Sequence, residues 1–214
     1  MEDLIKFAIA FPLLLYAAYS DIKKREADNW IWLAMGVAGL AFLLFDHKNL
    51  TFIAISIAIS IPIAFLLYIF GMGGADAKAI MAISLLNPLP PSTTLFQSPQ
   101  FVFPVTVLIN SLLLILPMPL VFLFYNIAKK EAEFPYAFFG YKMEASIAKN
   151  KFVWPMEKDG KKSIYPVKDA DMQQYHGRIW VTPKLPFLVF IFAGYTISYL
   201  FGDVLFAFVS FLLQ

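Results

Sequence analysis

The feature that most restricts this sequence is the recurrence of long apolar runs with almost no charge inside them. Leu4 to Tyr19, Trp30 to Phe45, Leu50 to Phe70, Asp76 to about Leu89, Phe101 to Ala128 and Leu185 to Leu213 follow one another. Short polar stretches separate them, apart from one long one, Lys129 to Lys184. A run of about 20 apolar residues matches the hydrocarbon thickness of a bilayer, and a chain inside a bilayer must satisfy its backbone polar groups internally. Composition agrees: 60% of the residues are hydrophobic and 15% charged, against about 45–50% and about 25% in soluble domains. The expected fold is an all-α membrane protein with six transmembrane helices plus a small cytoplasmic β-rich segment. Its expected parts are 1–128 (helices one to five), 129–184 (the β-rich cap) and 185–214 (helix six).

The charges orient that arrangement. If 21–29, 71–78 and 129–184 face the cytoplasm, they hold every Lys and Arg of the 17 except Lys6 and Lys48, a strong positive-inside asymmetry. Both termini then lie outside a multi-pass cell-membrane protein. The acidic Glu2-Asp3 start lacks the basic region of a secretory signal, so the first run reads as a retained helix. Cysteine is absent, which excludes disulfides, thiol catalysis and Cys-ligated metals. The two histidines, His47 and His176, lie in separate polar segments, so neither a His metal site nor a Ser/His triad is expected. No metal, cofactor or nucleic-acid partner is implied.

Two aspartates fall at the cytoplasmic edge of the apolar runs. Phe70-Gly71-Met72-Gly73-Gly74-Ala75-Asp76-Ala77-Lys78 is the densest glycine cluster in the chain. Its glycines permit a helix from Leu50 to end and a new one to begin at Asp76. Asp21 closes the first run on the same face. An ionisable group at a membrane boundary is costly to keep and marks a functional site, although an aspartate there also serves as a simple helix cap. Two such carboxyls can share one proton, one taking a proton from water and the other polarising a carbonyl, which is aspartyl peptide hydrolysis. The alternative for paired intramembrane acids is ion- or proton-coupled transport, but the middles of these runs are almost wholly apolar. Helix dipoles favour ionised Asp76, at a helix N-terminus, over Asp21, at a helix C-terminus. Asp203, at a break in the last run, reads as an N-cap.

The polar segment reads as a small β-rich cap. Lys158-Asp159-Gly160-Lys161 is a hairpin turn between strands expected at Phe152–Met156 and Ser163–Val167, with further strands at Lys142–Ala148 and Ile179–Thr182. The aromatic stretch Phe134 to Tyr141 suits a membrane interface.

Ser20-Asp21-Ile22-Lys23-Lys24-Arg25-Glu26, continuing through Asp28-Asn29-Trp30, resembles the Asp-x-(Lys/Arg)-x-Arg stretch of type IV prepilin peptidases and archaeal preflagellin peptidases. Gly73-Gly74-Ala75-Asp76-x-Lys78 resembles their Gly-x-Gly-Asp-x-Lys motif, with Ala75 in place of the glycine before the aspartate. Ile179 to Pro183 is similar to the preflagellin branch. The resemblance implies a membrane aspartyl endopeptidase with Asp21 and Asp76 catalytic and Gly73, Gly74 and Lys78 supporting. Such an enzyme removes a short basic leader from a preflagellin or pilin-like precursor whose hydrophobic helix lies in the bilayer. The leader requires acidic partners, for which Glu26, Asp28, Glu131 and Glu133 are the candidates. The zinc-binding cysteines of many bacterial members are absent, so methylation of the product is not implied.

Overall fold

A computed structural model describes residues 1–45, 49–92, 94–96, 101–158, 160–168 and 170–213. His47, Asp159 and the end of the chain at Gln214 lie outside the described residues. In chain order the helices and strands are α1 (Glu2–Lys24), α2 (Asn29–Phe45), α3 (Leu50–Ile69), α4 (Gly74–Leu86), α5 (Phe103–Ile115), α6 (Met118–Ala128), β1 (Tyr141–Glu144), α7 (Ala145–Ala148), β2 (Val153–Pro155), β3 (Glu157–Lys158), β4 (Lys161–Lys162), β5 (Arg178–Pro183), α8 (Phe187–Leu200) and α9 (Val204–Leu212). The protein is thus mostly helical with a small sheet region. Among the described residues three stretches are long and apolar enough to cross a membrane: α1, α3 and Phe103–Ala128. The broken pair α8 and α9, bent by 60°, makes up to four. The expected six are not all of spanning length, because α2 has 17 residues and α4 only 13.

The chain divides into two compact units. The first comprises Met1–Ile115 and Pro186–Gln214. In it α4 packs against α2 and α3, and α8 packs against α1 and α5. The buried faces are rich in small residues, among them Ala10, Ala17, Ala64, Ala79 and Ala82, whereas Leu33, Phe65 and Leu44 point outward. This matches a lipid-facing bundle, in which close van der Waals approach rather than burial of bulk draws helices together. Gly39 of α2 marks one such approach, since a Cβ there would fall 2.4 Å from the Leu85 backbone of α4.

Two breaks shape this unit. Helix α3 ends in a Schellman turn: the Met72 N–H donates to Leu67 O and the Gly71 N–H to Tyr68 O, with Gly71 at φ 98°. Of the glycines at 71, 73 and 74, Gly71 alone adopts the left-handed region. Between α8 and α9, Asn110 of α5 donates to Ser198 Oγ (2.8 Å) and Gly202 O (2.9 Å). Asp203 caps α9 by accepting from the Phe206 N–H at 2.9 Å, the N-cap role expected for it.

The second unit, Leu116–Leu185, holds α6 together with the polar segment. Its sheet has the order β1-β5-β2, both pairs antiparallel, with Lys142 opposite Trp180 and Trp154 opposite Thr182. The expected hairpin exists but is shorter and shifted. Strand β3 pairs with β4 at Glu157↔Lys162 and Lys158↔Lys161, around Gly160 at φ 73°. Phe152–Met156 supplies β2 to a different sheet, Ser163–Val167 is not a strand, and only the first half of Lys142–Ala148 is extended, because Ala145–Ala148 turns helical. The sequence pattern identified the turn, while the wider sheet recruited β2 as an edge of β5.

Candidate active site

Helix α4 begins at Gly74 with Gly73 as its N-cap, two residues earlier than expected, so Asp76 is its third residue. From that position the carboxyl reaches back and accepts a hydrogen bond from the Gly73 N–H, which is the acidic half of a capping box. The absence of a side chain at 73 makes room for this, since a Cβ there would fall 2.6 Å from Asp76 Oδ2.

Asp21 lies in the last turn of α1 and is 8% exposed. Its Oδ2 accepts from the Leu188 N–H at 3.1 Å, in the first turn of α8, whose N-cap is Pro186. Arg25 Nη1 lies 3.9 Å from its Oδ1. Asp21 therefore stands at the C-terminal end of its own helix and at the N-terminal end of another. The second dipole favours its charge, and the sequence-based contrast between the two aspartates loses its basis. Helices α1 and α4 touch, and the two carboxyls are near enough to interact through their charges. Two acids so placed can hold one proton between them.

The surroundings brace the pair. Lys78 is exposed and its Nζ donates to Asn29 Oδ1 at 2.8 Å, tying the start of α4 to the start of α2. Ser20 Oγ donates to Glu26 O at 2.8 Å, and Tyr16 OH donates to Asp28 Oδ2 at 3.4 Å. Gly74 and Ala75 start the helix without touching either carboxyl through any described hydrogen bond. Among the described residues no cluster of His, Asp and Glu is arranged to hold a metal ion.

A profile of the type IV leader peptidase family matches residues 8–120, the stretch that carries both aspartates. The chain belongs to that family. A second profile, the type II C-terminal region of archaeal family members, matches residues 132–204. The preflagellin peptidase of Methanococcus voltae is 34% identical over 94% of this chain and 96% of its own length. Those of Methanococcus maripaludis and Methanocaldococcus jannaschii are 29% and 28% identical, each over 94% of this chain. As a leader peptidase the chain is an enzyme that cuts polypeptide, and two carboxyls at one edge of a helix bundle accord with the aspartic type.

Within this leader peptidase the four acidic candidates part company. Glu26 and Asp28 are exposed in the link between α1 and α2. Glu131 and Glu133 belong to the second unit, where their charges are already engaged. Glu131 accepts from both terminal nitrogens of Arg178. Glu133 meets Lys162, Lys142 at 3.4 Å and Trp180 Nε1 at 3.4 Å. Those hydrogen bonds hold both carboxyls below the ordinary Glu range. Sequence reading missed the Leu188 amide and the Asn29 carbonyl. The apolar run from Leu185 announced a helix, but nothing in the sequence announced what its start would face.

Proposed function

We propose that this chain removes the leader peptide of a preflagellin or pilin-like precursor by aspartyl hydrolysis, with Asp21 and Asp76 as the catalytic pair. The observation that carries this reading is a pair of carboxyls from distant parts of the chain, near enough to interact through their charges and each held by a main-chain N–H, in a family of leader peptidases. The ionised member of the pair takes a proton from water as the water oxygen bonds to the scissile carbonyl carbon. The protonated member donates to the carbonyl oxygen. As the diol collapses the C–N bond breaks, and the carboxyl that took water's proton passes it to the leaving amine. The other carboxylate takes a proton from a diol hydroxyl as the product carboxyl forms, which restores the shared-proton state. In this reading Lys78 and Gly73 hold Asp76 in place, and the precursor's apolar helix lies among the enzyme's helices in the bilayer.

The finer topology belongs to the same proposal. α2 and α4 join the longer stretches to give six membrane-embedded segments, with both termini outside and the aspartates at the cytoplasmic face, as the positive-inside asymmetry supports. Glu26 and Asp28 are then the available counter-charges for a basic leader, whereas Glu131 and Glu133 would have to exchange their present cations. The test is cleavage of a preflagellin by detergent-purified protein. Asp21→Asn and Asp76→Asn should each abolish cleavage with expression and membrane insertion intact. Near-wild-type cleavage by either variant, or ion flux into vesicles without proteolysis, would overturn the reading.

A further inference from the structure

The end of α6 is more elaborately built than the end of a helix that merely runs into a loop. Glu131 N–H donates to Asn126 O and Lys130 N–H to Ile127 O, a Schellman turn with Lys130 at φ 56° where glycine is usual. The turn folds the following segment back onto the helix. Asn126, fully buried on an otherwise apolar helix, pins it there by donating to Ala137 O at 3.1 Å and Gly140 O at 2.7 Å. Ala137 is buried by this, yet Phe134 stays 64% exposed and Phe139 42% exposed. Holding two large rings outward costs free energy in water and none at a headgroup boundary, where aromatic side chains concentrate.

What lies beside these rings is also defined. Helix α6 is the end of the membrane-length stretch Phe103–Ala128, and its Leu120, Phe124 and Ile127 are exposed in the manner of a lipid-facing helix. The acids of the folded-back segment, Glu131 and Glu133, are neutralised by Arg178, Lys142 and Lys162. The exposed Lys129 and Lys130 therefore set the local charge, in a unit with 11 Lys and Arg against 7 Asp and Glu. We infer that residues 129–139 form a foot that binds anionic lipid headgroups, Phe134 and Phe139 entering the bilayer boundary while Lys129 and Lys130 meet the phosphates. This inference rests on the membrane reading and is independent of which polypeptide is cut.

The chain has no cysteine, so single replacements give clean labels in the full-length protein. Phe134→Cys and, separately, Phe139→Cys would carry an environment-sensitive fluorophore. Tyr165→Cys serves as reference, because Tyr165 is 75% exposed in the same unit. Helical content by circular dichroism establishes that each variant is folded. In phosphatidylcholine vesicles containing phosphatidylglycerol, the labels at 134 and 139 should emit to the blue, be quenched by nitroxide-bearing lipid, and be several-fold less accessible to iodide than the label at 165. Removing phosphatidylglycerol, or combining Lys129→Gln with Lys130→Gln, should return much of that accessibility. Iodide quenching equal to that at 165 would overturn the foot. Shielding that follows protein concentration instead of lipid would assign the patch to a second copy, and shielding indifferent to phosphatidylglycerol and to the lysines would overturn the anionic partner.

Discussion

A methyl group added at residue 73 would sit 2.6 Å from Asp76 Oδ2, inside contact distance, whereas one added at residue 74 would meet only the edge of Tyr68 at 3.5 Å. Gly73→Ala should therefore displace the carboxyl and lower kcat for leader cleavage by about 10²-fold, the usual cost of roughly an ångström of misplacement. Gly74→Ala should stay near wild type, and comparing the two kcat values checks the claim. The pair also shows how legible the site is. Asp21 and Asp76 stand out in the sequence because charge is rare at the edges of apolar runs. The division of labour among the glycines does not stand out: Gly71 makes the left-handed turn, Gly73 makes room, and Gly74 does neither, a distinction fixed by where the helix starts. The donor to Asp21 was illegible for a different reason. A main-chain N–H is carried by every residue except proline, and Leu188 is 167 positions away.

Arg178, the first residue of β5, links the sheet to the segment leaving α6 by holding Glu131 and lying 3.8 Å from Glu144. Glu131 and Glu133 are lowered by their hydrogen-bonded cations. Their contribution to stability is thus present above the ordinary Glu range and lost as pH falls through it towards the depressed native values. Glu157 works the other way, because burial raises it and its ionisation opposes folding. Limited proteolysis of the second unit across an acid titration should show protection declining on acidification in the wild type. Arg178→Gln should give a lower and flatter profile, and an unchanged profile would mean that the ion pair is only solvated surface. Element positions were partly legible. Pro117 and Pro119 stand at the interruption between α5 and α6, and the break expected at Asp203 is the bend between α8 and α9. The pairing of β2 with β5 was not legible, since alternation along Phe152–Met156 reveals a strand without naming its neighbour.

For the molecule as a whole, the asymmetry of lysines and arginines was readable at once, while the number of spans was not. Hydropathy does not distinguish α4, a 13-residue helix with seven buried positions, from a helix that crosses the bilayer. The sidedness remains open to a direct measurement. A reporter joined after Gln214 should be found outside and one inserted near Gly160 should be cytoplasmic; the reverse pair would place the aspartates on the other face. The bond between the Leu188 N–H and Asp21 carries a consequence for biosynthesis. The ribosome makes the first aspartate early and the second soon after, but the amide that holds the first is added only when the last helices are being translated. On the proposed mechanism, a chain whose synthesis stops before Leu188 carries both carboxyls but lacks the amide that orients Asp21, so the pair is armed only after residue 188 has been made.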